Sequence, residues 1–529
     1  MVIPLTPIRC LYRAMDLFGA KIGVVCGAKE FTYAQFGERC LKLASALTAR
    51  GVAAGDRVAY LSFNNHELLE GYYGVVMAHA IVMPLNVRLS QIELTNILNH
   101  SGAKMLVFEQ EFEATVEALR AACPEIKTFV SIGEKTAAAD LTYEELLATG
   151  TPEPMDFMTI DELSIAELFY TSGSTGTPKG VTLSHRTLYL HAMSVATLFF
   201  GTEDMVDLHT IPLFHANGWG RPQASTMMGV KQVMVRRFEP SGVFKLIQQH
   251  RATDMNVVPT MANALLNAPD RSSYDVSSLR RISIGGAAAS PELVQRLEAL
   301  FPGEICAGYG LTETSPVLST GRRKGTIDLS DEKERLRRQA MAGWATPGVE
   351  IRVVDPHMND VPRDGVSIGE VIARGDNVMD GYFREPEATA NVMTGAWFHT
   401  GDMAVWDEER YIHIVDRKKE IIISGGENIS SLEVEKAIFA HPDVFECAVV
   451  AAPDERWGEV PAAVVVRKPG STLDEAALME FLQLRLGKFK LPRIIHFTEE
   501  ALPKTGTGKI RKMVIREHFW AGKEKRVQG

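Results

Sequence analysis

The sequence lacks several features that mark particular protein classes. Its six cysteines are scattered and include no C-x-x-C pair, which argues against a disulfide framework or a zinc cluster and fits a reducing compartment. Its 56 basic residues fall short of its 66 acidic ones, so the formal charge is −10. Because nucleic-acid binders need a basic surplus to neutralise phosphates, this balance argues against that class.

Targeting and membrane signals are also missing. The start, "MVIPLTPIRCLYRAMD", lacks the charged head, apolar run and cleavage site of a signal peptide, and the ending "KRVQG" carries no peroxisomal or prenylation motif. The most apolar stretch, "GYYGVVMAHAIVMPLNV" (71–87), is too short to span a bilayer. We therefore predict a buried helix running into a strand there, and a cytoplasmic protein without a stable membrane span.

Hydrophobic patterning indicates the fold class. At 529 residues, the chain is long enough for about two to four domains. Helical spacing at 32–51 precedes a strand pattern, "DRVAYLSF", and the same alternation recurs at 242–259 and 290–310. This alternation favours layered α/β structure over an all-α or all-β fold.

The pattern changes near residue 350. The short runs "VEIRVVD", "GEVIARG" and "RYIHIVD" predict a small β-rich subdomain. After Asp416, a polar "RKKE" leads into a new series of helix and strand patterns, which predicts a separate α+β unit of about 110 residues. The boundary is therefore expected at 416–419.

A loop rich in glycine and hydroxyl side chains, "YTSGSTGTPKGVTLSHR" (170–186), has the composition of an anion-binding segment. Gly173, Gly176 and Gly180 permit close backbone approach, and Lys179 supplies a positive charge. Backbone N–H groups of such a loop can wrap phosphate oxygens, although it is not a Walker A loop. On composition alone, a flexible surface loop fits equally well.

Further segments carry ligand-binding residue types. In "AGYGLTETSP" (307–316), two glycines flank Tyr309 and leave its ring free to lie against a planar ligand, although a glycine-rich turn with a core tyrosine is the plainer interpretation. Asp402 and Arg417 suit a sugar, or else each joins a surface ion pair. In "LPKTGTGKIRK", Lys509 projects from a loop or is simply an exposed lysine near the end of the sequence.

Together, these segments resemble the adenylate-forming superfamily, which comprises acyl-CoA synthetases, peptide-synthetase adenylation domains and luciferases. The resemblance spans essentially the whole chain. It rests on motifs in the family's order and approximate spacing, namely "YTSGSTGTPKGV", "YGLTE", "TGD", "DRKKE" and "PKTGTGKI". The segment "IPLFHANGWG" (211–220) is most similar to fatty-acid and small-acid CoA ligases, including the medium-chain and methylmercaptopropionate types.

The resemblance implies a two-step reaction. A carboxylate attacks the α-phosphorus of ATP to give an acyl-adenylate and pyrophosphate, and the thiol of CoA then attacks the acyl carbonyl and releases AMP. Two anions must meet in the first step, and in a weakly screening cleft their repulsion reaches several kcal/mol. Cations and oriented donors have to offset it. The ligands that the resemblance implies are ATP, Mg²⁺, CoA and a small carboxylic acid.

The resemblance also assigns roles to residues of the large domain. The loop 171–179 would cover the β- and γ-phosphates, Thr175 and Glu313 would hold Mg²⁺, Thr312 would touch the α-phosphate, and Tyr309 would stack on adenine. The expected nucleotide-binding residues are Thr171, Ser172, Gly173, Ser174, Thr175, Gly176, Lys179, Gly286, Ala287, Gly308, Tyr309, Gly310, Asp402, Arg417 and Lys509.

The acyl side is assigned in the same way. Gly286 and Ala287 of "SIGGAAAS" would line the junction between adenine and acyl group. His215 would position the carboxylate or sense ATP, unless it is a packed histidine. Trp219 resembles the tunnel-gating tryptophan of fatty-acid members, with a core tryptophan as the alternative. Trp397 is a further expected lining residue.

Asp402 and Arg417 would clasp the ribose, and Lys509 would bridge the incoming carboxylate and the α-phosphate. Lys509 would belong to a small mobile domain that swings between the two half-reactions about Lys419. The implied architecture is therefore α/β. It has a large domain at 1–416 with two layered α/β subdomains and a β-rich one, a hinge at 417–419 and an α+β lid at 420–529. The loop expected to admit CoA consists of Ser424, Gly425, Gly426 and Glu427.

The leading hypothesis is an ATP-dependent acyl-CoA ligase for a short- to medium-chain aliphatic or thioether acid. A homodimer is compatible with this hypothesis. An aryl or cinnamate-type ligase and a stand-alone adenylation protein that donates to a carrier are the alternatives. A luciferase-like oxygenase shares the scaffold, and a non-catalytic nucleotide-binding scaffold would keep the loops without releasing pyrophosphate.

Overall fold

A computed structural model describes residues 3–171, 178–418, 420–424, 427–454, 456–504 and 510–521. The chain divides into two compact units. The first comprises 1–351, 372–399 and 410–412, and the second comprises 352–371, 400–409 and 413–529. The fold is mixed α/β with a large N-terminal and a small C-terminal domain, which confirms the predicted fold class. The ranges 1–416, 417–419 and 420–529 stay predictions.

Two sheets form the framework of the first unit. Among the described residues, nine strands form one sheet in the order Trp344–Ala345, Val317–Thr320, Glu304–Gly310, Arg281–Ile284, Asp254–Val257, Val206–His209, Lys231–Met234, Ile22–Cys26 and Lys29–Thr32. We call it the nine-stranded sheet. Eight described strands form the other, the eight-stranded sheet, in the order Gly381–Tyr382, Lys179–Ser184, Ile165–Thr171, Ile81–Pro84, Arg57–Leu61, Met105–Glu109, Thr128–Ile132 and Leu141–Thr142.

Helices cover these sheets, and local signals explain where several of them start. Thr32 accepts a hydrogen bond from the backbone N–H of Gln35 while the Gln35 side chain accepts from the backbone N–H of Thr32, so the helix predicted at 32–51 begins with a capping box. The α-helices of the first unit are Ile8–Phe18, Tyr33–Ala49, His66–Met77, Gln91–Ser101, Glu113–Ala122, Tyr143–Ala148, His185–Phe199, Arg221–Met228, Pro240–His250, Pro259–Leu266, Pro291–Leu300, Glu332–Ala340 and Pro386–Ala390. The short segment Ala216–Trp219 is a turn with positive φ rather than a right-handed helix.

The apolar stretch 71–87 is a buried helix followed by a strand, as predicted. All residues of His66–Met77 and Ile81–Pro84 are buried. No helix in the described part of the chain combines the length and the apolarity that a bilayer crossing requires.

Short 3₁₀ turns lie at Gln110–Phe112, Phe157–Thr159, Arg271–Ser273, Thr312–Thr314 and Lys488–Lys490.

The strands predicted after residue 350 are confirmed. Together with Trp397–Trp406 and Met393–Thr394, which were not predicted, they form a sheet. Its order is Val349–Val354, Gly369–Gly375, Trp397–Trp406 and Met393–Thr394, with Ile412–Arg417 paired to Trp397–Trp406. The division of the chain into units falls within these strands.

The second unit contains the α+β pattern expected after Asp416. Its sheet runs Glu427–Ile429, Ile422–Ser424, Gly458–Arg467 and Val444–Asp454, with Ile494–Thr498 paired to Gly458–Arg467. Its helices are Ser431–Phe439, Glu475–Gln483 and Lys512–Trp520. The apolar face of Ser431–Phe439, with Val434 and Ile438 fully buried, packs in the same core as Val449 and Val465.

Candidate functional site

Several predicted site segments follow the carboxyl ends of neighbouring parallel strands in the nine-stranded sheet. Val257 is in register with Ile284, and Ile284 is in register with Ala307. Gly285 follows the end of its strand at this level, whereas Gly308 continues its strand and pairs with Thr320 of the antiparallel neighbour. Open α/β sheets bind ligands at this edge. The register thus brings the Gly286 turn beside the start of the Tyr309 segment.

Trp219 lies against the turn that holds Gly286. A Cβ atom added to Gly285 would lie 2.9 Å from Cη2 of Trp219, and one added to Gly286 would lie 3.6 Å from its Cζ2. The Gly286 position is also close to Val258, at 3.1 Å from Cγ1. Residues assigned to the acyl pocket from sequence thus meet in one place.

The segment that carries Trp219 has an unusual backbone. Ala216, Asn217, Gly218, Trp219 and Gly220 all have positive φ, at 46°, 53°, 51°, 62° and 68°. Residues other than glycine adopt this left-handed region at a cost, and such strain gathers at functional sites. The conformation turns the chain sharply between strand Val206–His209 and helix Arg221–Met228.

A buried polar residue outside the motifs, Asn64, fixes the chain just before this segment. The Asn64 amide nitrogen donates to the carbonyls of His209 and Ile211 at 3.0 and 2.9 Å, and its oxygen accepts from the backbone N–H of Leu213 at 2.7 Å. His215, two residues after Leu213, is half-buried. Sequence reasoning missed Asn64 because nothing in its local pattern distinguishes it, and the proposed role of His215 stays a prediction.

His191 holds the other side of the segment. Its Nε2 accepts a hydrogen bond from the backbone N–H of Val317 at 3.0 Å, and a Cβ atom on Gly220 would lie 2.2 Å from its Cε1. Burial lowers the pKa of His191 to about 3, so the imidazole is neutral and Nε2 is free to accept. Sequence reasoning also missed this residue.

The Tyr309 segment ends in a turn that requires glycine. Strand Glu304–Gly310 pairs in antiparallel fashion with Val317–Thr320, and a Cβ atom on Gly310 would lie 1.7 Å from the carbonyl oxygen of Pro316. Tyr309 is half-buried, whereas Thr312 is buried in the 3₁₀ turn that follows. This arrangement is compatible with Tyr309 facing a planar ligand.

Glu313 and Lys179 both contact Tyr382, which sequence reasoning did not single out. The Tyr382 hydroxyl donates to Oε1 of Glu313 at 2.9 Å, and Nζ of Lys179 lies 4.8 Å from the centre of the Tyr382 ring. Burial, followed by the Glu313 carboxylate, raises the pKa of Tyr382, so the phenol stays protonated as a donor. The structure therefore brings together a carboxylate, an aromatic face and an ammonium group.

The two ends of the glycine-rich loop are also brought together. Thr171 and Lys179 are register partners in the antiparallel pair formed by Ile165–Thr171 and Lys179–Ser184. Of the phosphate-binding residues predicted in this loop, several lie outside the described residues, namely Ser172, Gly173, Ser174, Thr175 and Gly176.

In the second unit, Asp402 and Arg417 form an ion pair. Nε of Arg417 lies 2.7 Å from Oδ1 of Asp402, whose side chain is 3% exposed against 47% for Arg417. The pairing that sequence reasoning left as an alternative is therefore present, and joint binding of a ribose stays a prediction. Beside it, Nζ of Lys418 lies 3.0 Å from Glu370.

The chain on both sides of 505–509 is fixed within the second unit. Lys504 and Ile510 form an antiparallel bridge, and Nζ of Lys504 lies 2.6 Å from Glu446. Farther along, Nζ of Lys512 lies 2.6 Å from Oγ of Ser431 and 2.9 Å from Glu435. Other predicted residues, namely Lys419, Gly425, Gly426 and Lys509, lie outside the described residues, as does the side chain of Glu427.

Two remaining predicted residues occupy strands. Ser424 pairs with Glu427 and with Gly458, because its strand lies between Glu427–Ile429 and Gly458–Arg467 in the small sheet. Trp397 is half-buried, and the Arg374 guanidinium lies 4.6 Å from its ring centre. The CoA-binding role of Ser424 and the acyl-lining role of Trp397 stay predictions.

Known proteins resemble the chain over nearly its whole length. Residues 11–383 match the family described as AMP-binding enzyme, and residues 433–509 match the AMP-binding enzyme C-terminal domain. A long-chain-fatty-acid–CoA ligase of Thermus thermophilus is 39% identical over 518 residues, which cover 96% of this chain and 94% of the relative. A feruloyl-CoA synthase of an Amycolatopsis species is 38% identical over 496 residues, or 93% of this chain and 95% of the relative. Among solved structures, ATP-bound MatB from Rhodopseudomonas palustris matches with a TM-score of 0.87 and 28% identity, covering 98% and 99% of the two chains.

Proposed function

Because the chain belongs to the AMP-binding enzymes of the adenylate-forming superfamily, we propose that it activates a short- to medium-chain aliphatic or thioether acid as its CoA thioester. It is an acid–thiol ligase of the acyl-CoA synthetase type, with ATP, Mg²⁺ and CoA as cofactors and co-substrates. The identity of the acid is the proposal. A cytoplasmic location and a homodimer stay predictions.

The contact of Trp219 with the Gly285–Gly286 turn carries this proposal. The indole and Val258 crowd the position where the resemblance assigns the acyl group, within 4 Å of any Cβ placed on Gly286. A wide, deep pocket would need this indole to turn away. A short acyl chain needs less depth and would not require that movement, which is why we favour short to medium chains.

An aryl acid is the second candidate. The observation that favours it is the feruloyl-CoA synthase relative, which is 38% identical to this chain. A flat ring stacks well against an indole, so Trp219 is compatible with such a substrate. A panel of acids distinguishes the two candidates.

Each site residue contributes charge or position to the reaction. In the proposed scheme, Lys179 meets the terminal phosphates of ATP, and Tyr309 orients the adenine. Lys509 approaches the carboxylate and the α-phosphate, where its ammonium group offsets the repulsion between the two anions. The substrates supply both nucleophiles, so no side chain forms a covalent intermediate.

The proposed metal ligands have suitable chemistry. Mg²⁺ prefers carboxylate, hydroxyl and phosphate oxygens, which fits Glu313 and Thr175. The hydrogen bond from Tyr382 fixes the orientation of the Glu313 carboxylate. When bound, Mg²⁺ would neutralise phosphate charge.

The decisive experiment measures pyrophosphate and AMP release from ATP with a panel of acids. The panel contains straight-chain acids of increasing length, thioether acids and cinnamate-type acids, each with and without CoA. We expect the highest kcat/KM with a short- to medium-chain acid. A maximum at a cinnamate-type acid would replace the first candidate with the second, and a maximum at a long-chain acid would contradict both.

The Lys509→Ala variant tests whether Lys509 acts in adenylation and not in thioester formation. It should lose at least about 100-fold in adenylation, because the charge that offsets anion repulsion is gone, and should still form thioester from supplied acyl-adenylate. Lys468→Ala, which removes an exposed lysine from the same unit, is the matched control and should change neither step. Normal adenylation by the Lys509 variant would contradict the assignment.

A further inference from the structure

Tyr382 lies on a short segment that is bound to the strand carrying Lys179. Strand Gly381–Tyr382 pairs with Lys179–Ser184 in the register Gly381 to Thr182 and Tyr382 to Val181. The Thr182 hydroxyl also donates to the Gly381 carbonyl at 2.8 Å, and the backbone N–H of Phe383 donates to the Gly180 carbonyl at 2.7 Å. The backbone of Tyr382 is therefore fixed relative to Lys179.

The same segment is bound to the turn that carries Glu313. The backbone N–H of Met379 donates to the Glu313 carbonyl at 2.8 Å, and the Ser315 hydroxyl donates to the Asn377 carbonyl at 2.8 Å. Ser315 and Asn377 are both buried. Residues 377–383 thus connect two functional segments that are distant in sequence.

The side chain of Tyr382 completes this connection. Its hydroxyl donates to Oε1 of Glu313, while the face of its ring receives the Lys179 ammonium group. Within the described part of the chain, no ion pair forms between Lys179 and Glu313 themselves. The Tyr382 ring contacts the Lys179 ammonium group and the Tyr382 hydroxyl donates to the Glu313 carboxylate. Each charged group therefore has a partner other than the opposite charge.

We propose that Tyr382 is a positioning residue for the magnesium complex of ATP. Its hydroxyl holds the Glu313 carboxylate in the orientation that a hard cation needs, and its ring holds Lys179 toward the terminal phosphates. Without the tyrosine, the Glu313 carboxylate loses this hydrogen bond and the Lys179 ammonium group loses the aromatic face. This inference rests on the roles proposed above for Glu313 and Lys179.

Two substitutions separate the contributions of the hydroxyl and the ring. Tyr382→Phe keeps the aromatic face and removes the hydrogen bond to Glu313. Tyr382→Leu removes both. Binding of ATP is measured by calorimetry in EDTA and over a Mg²⁺ titration, without any acid, so a wrong choice of acid leaves the test intact.

For Tyr382→Phe, we expect the ATP affinity in EDTA to be unchanged. The Mg²⁺ concentration that produces half of the Mg²⁺-dependent increase in ATP affinity should rise roughly ten-fold, since a hydrogen bond to a charged group is lost. Excess Mg²⁺ should restore wild-type affinity and kcat. For Tyr382→Leu, we expect weaker ATP binding in EDTA as well.

Tyr143→Phe is the matched control. The Tyr143 hydroxyl donates to a carboxylate oxygen of Glu70 at 2.9 Å. The Tyr382 pair has the same kind of donor, the same kind of acceptor and the same distance. Its removal should leave the Mg²⁺ titration unchanged. An unaltered Mg²⁺ requirement in Tyr382→Phe would overturn the inference, as would a loss of ATP binding that excess Mg²⁺ does not restore.

Discussion

His191 connects two segments of the site while remaining uncharged. Its folded-state pKa of about 3 lies far below the value of 6.5 for an exposed histidine, because burial penalises the imidazolium. Above pH 6.5, the imidazole is neutral in both the folded and the unfolded chain. As the pH falls from 6.5 toward 3, only the unfolded chain gains this proton, so the free energy of unfolding decreases.

The pH dependence of stability tests this account. His191→Gln keeps an acceptor for the Val317 N–H but cannot titrate, so its unfolding free energy should decline less steeply between pH 6 and pH 4, by up to about 1.4 kcal/mol per pH unit. Chemical denaturation at a series of pH values measures the slopes. His518→Gln, at an exposed position, serves as control and should keep the wild-type slope. If the unfolding free energy of the His191 variant and that of the wild type declined with pH at equal slopes, the proposed titration of His191 would be contradicted.

Single residues of the site differ in how far sequence predicts them. Trp219 and Gly286 belong to recognisable motifs, and the structure places the Trp219 indole beside the turn that holds Gly286. The proposed role of Tyr382 could not be predicted from sequence, because it depends on a hydrogen bond to Glu313, which is 69 positions away. The two residues come close only once the sheets have formed. Asn64 and His191 were missed for the same reason.

At the scale of elements, the turn after strand Glu304–Gly310 depends on one glycine. A Cβ atom at Gly310 would lie 1.7 Å from a backbone carbonyl oxygen, whereas one at Gly308 would lie 3.4 Å from the nearest atom, an ordinary contact distance. Backbone atoms paired in a sheet cannot move aside as a flexible side chain does. The two glycines therefore differ in their tolerance of a side chain.

Alanine substitutions at these positions form a matched pair. Gly310→Ala should lower stability by about 2 to 4 kcal/mol through the backbone clash, while Gly308→Ala should change it by less than about 1 kcal/mol. Thermal unfolding midpoints of the purified variants provide the comparison. Similar midpoints for both variants would show that the hairpin of Glu304–Gly310 and Val317–Thr320 shifts freely.

Most elements followed from local patterns, whereas their order in the sheets did not. The helices near 32–51, 242–259 and 290–310 are predicted because apolar residues at helical spacing are a local signal. The pairing of Ile22–Cys26 with Lys231–Met234 has no local signal, since hydrophobic alternation identifies a strand but not its neighbour.

At the scale of the whole molecule, the second half-reaction is proposed to depend on the link at Lys419. Lys419→Pro fixes φ and removes a backbone donor, which should restrict a swing of the small domain. We expect a decrease of at least about ten-fold in thioester formation with adenylation largely retained. Lys419→Ala removes the same charge without restricting φ and should retain both steps. Equal loss of both half-reactions in the proline variant would argue against a domain swing.

The pairing of Ile22–Cys26 with Lys231–Met234 affects how the protein is made. The first strand leaves the ribosome about 200 residues before its partner, so at roughly 5–20 residues per second it waits roughly 10–40 s during translation. Throughout that interval, the edge of Ile22–Cys26 that faces away from Lys29–Thr32 stays unpaired, and unpaired strand edges are where nascent chains aggregate. The yield of folded enzyme in a cell should therefore depend on the pace of translation and on the chaperones near the ribosomal exit.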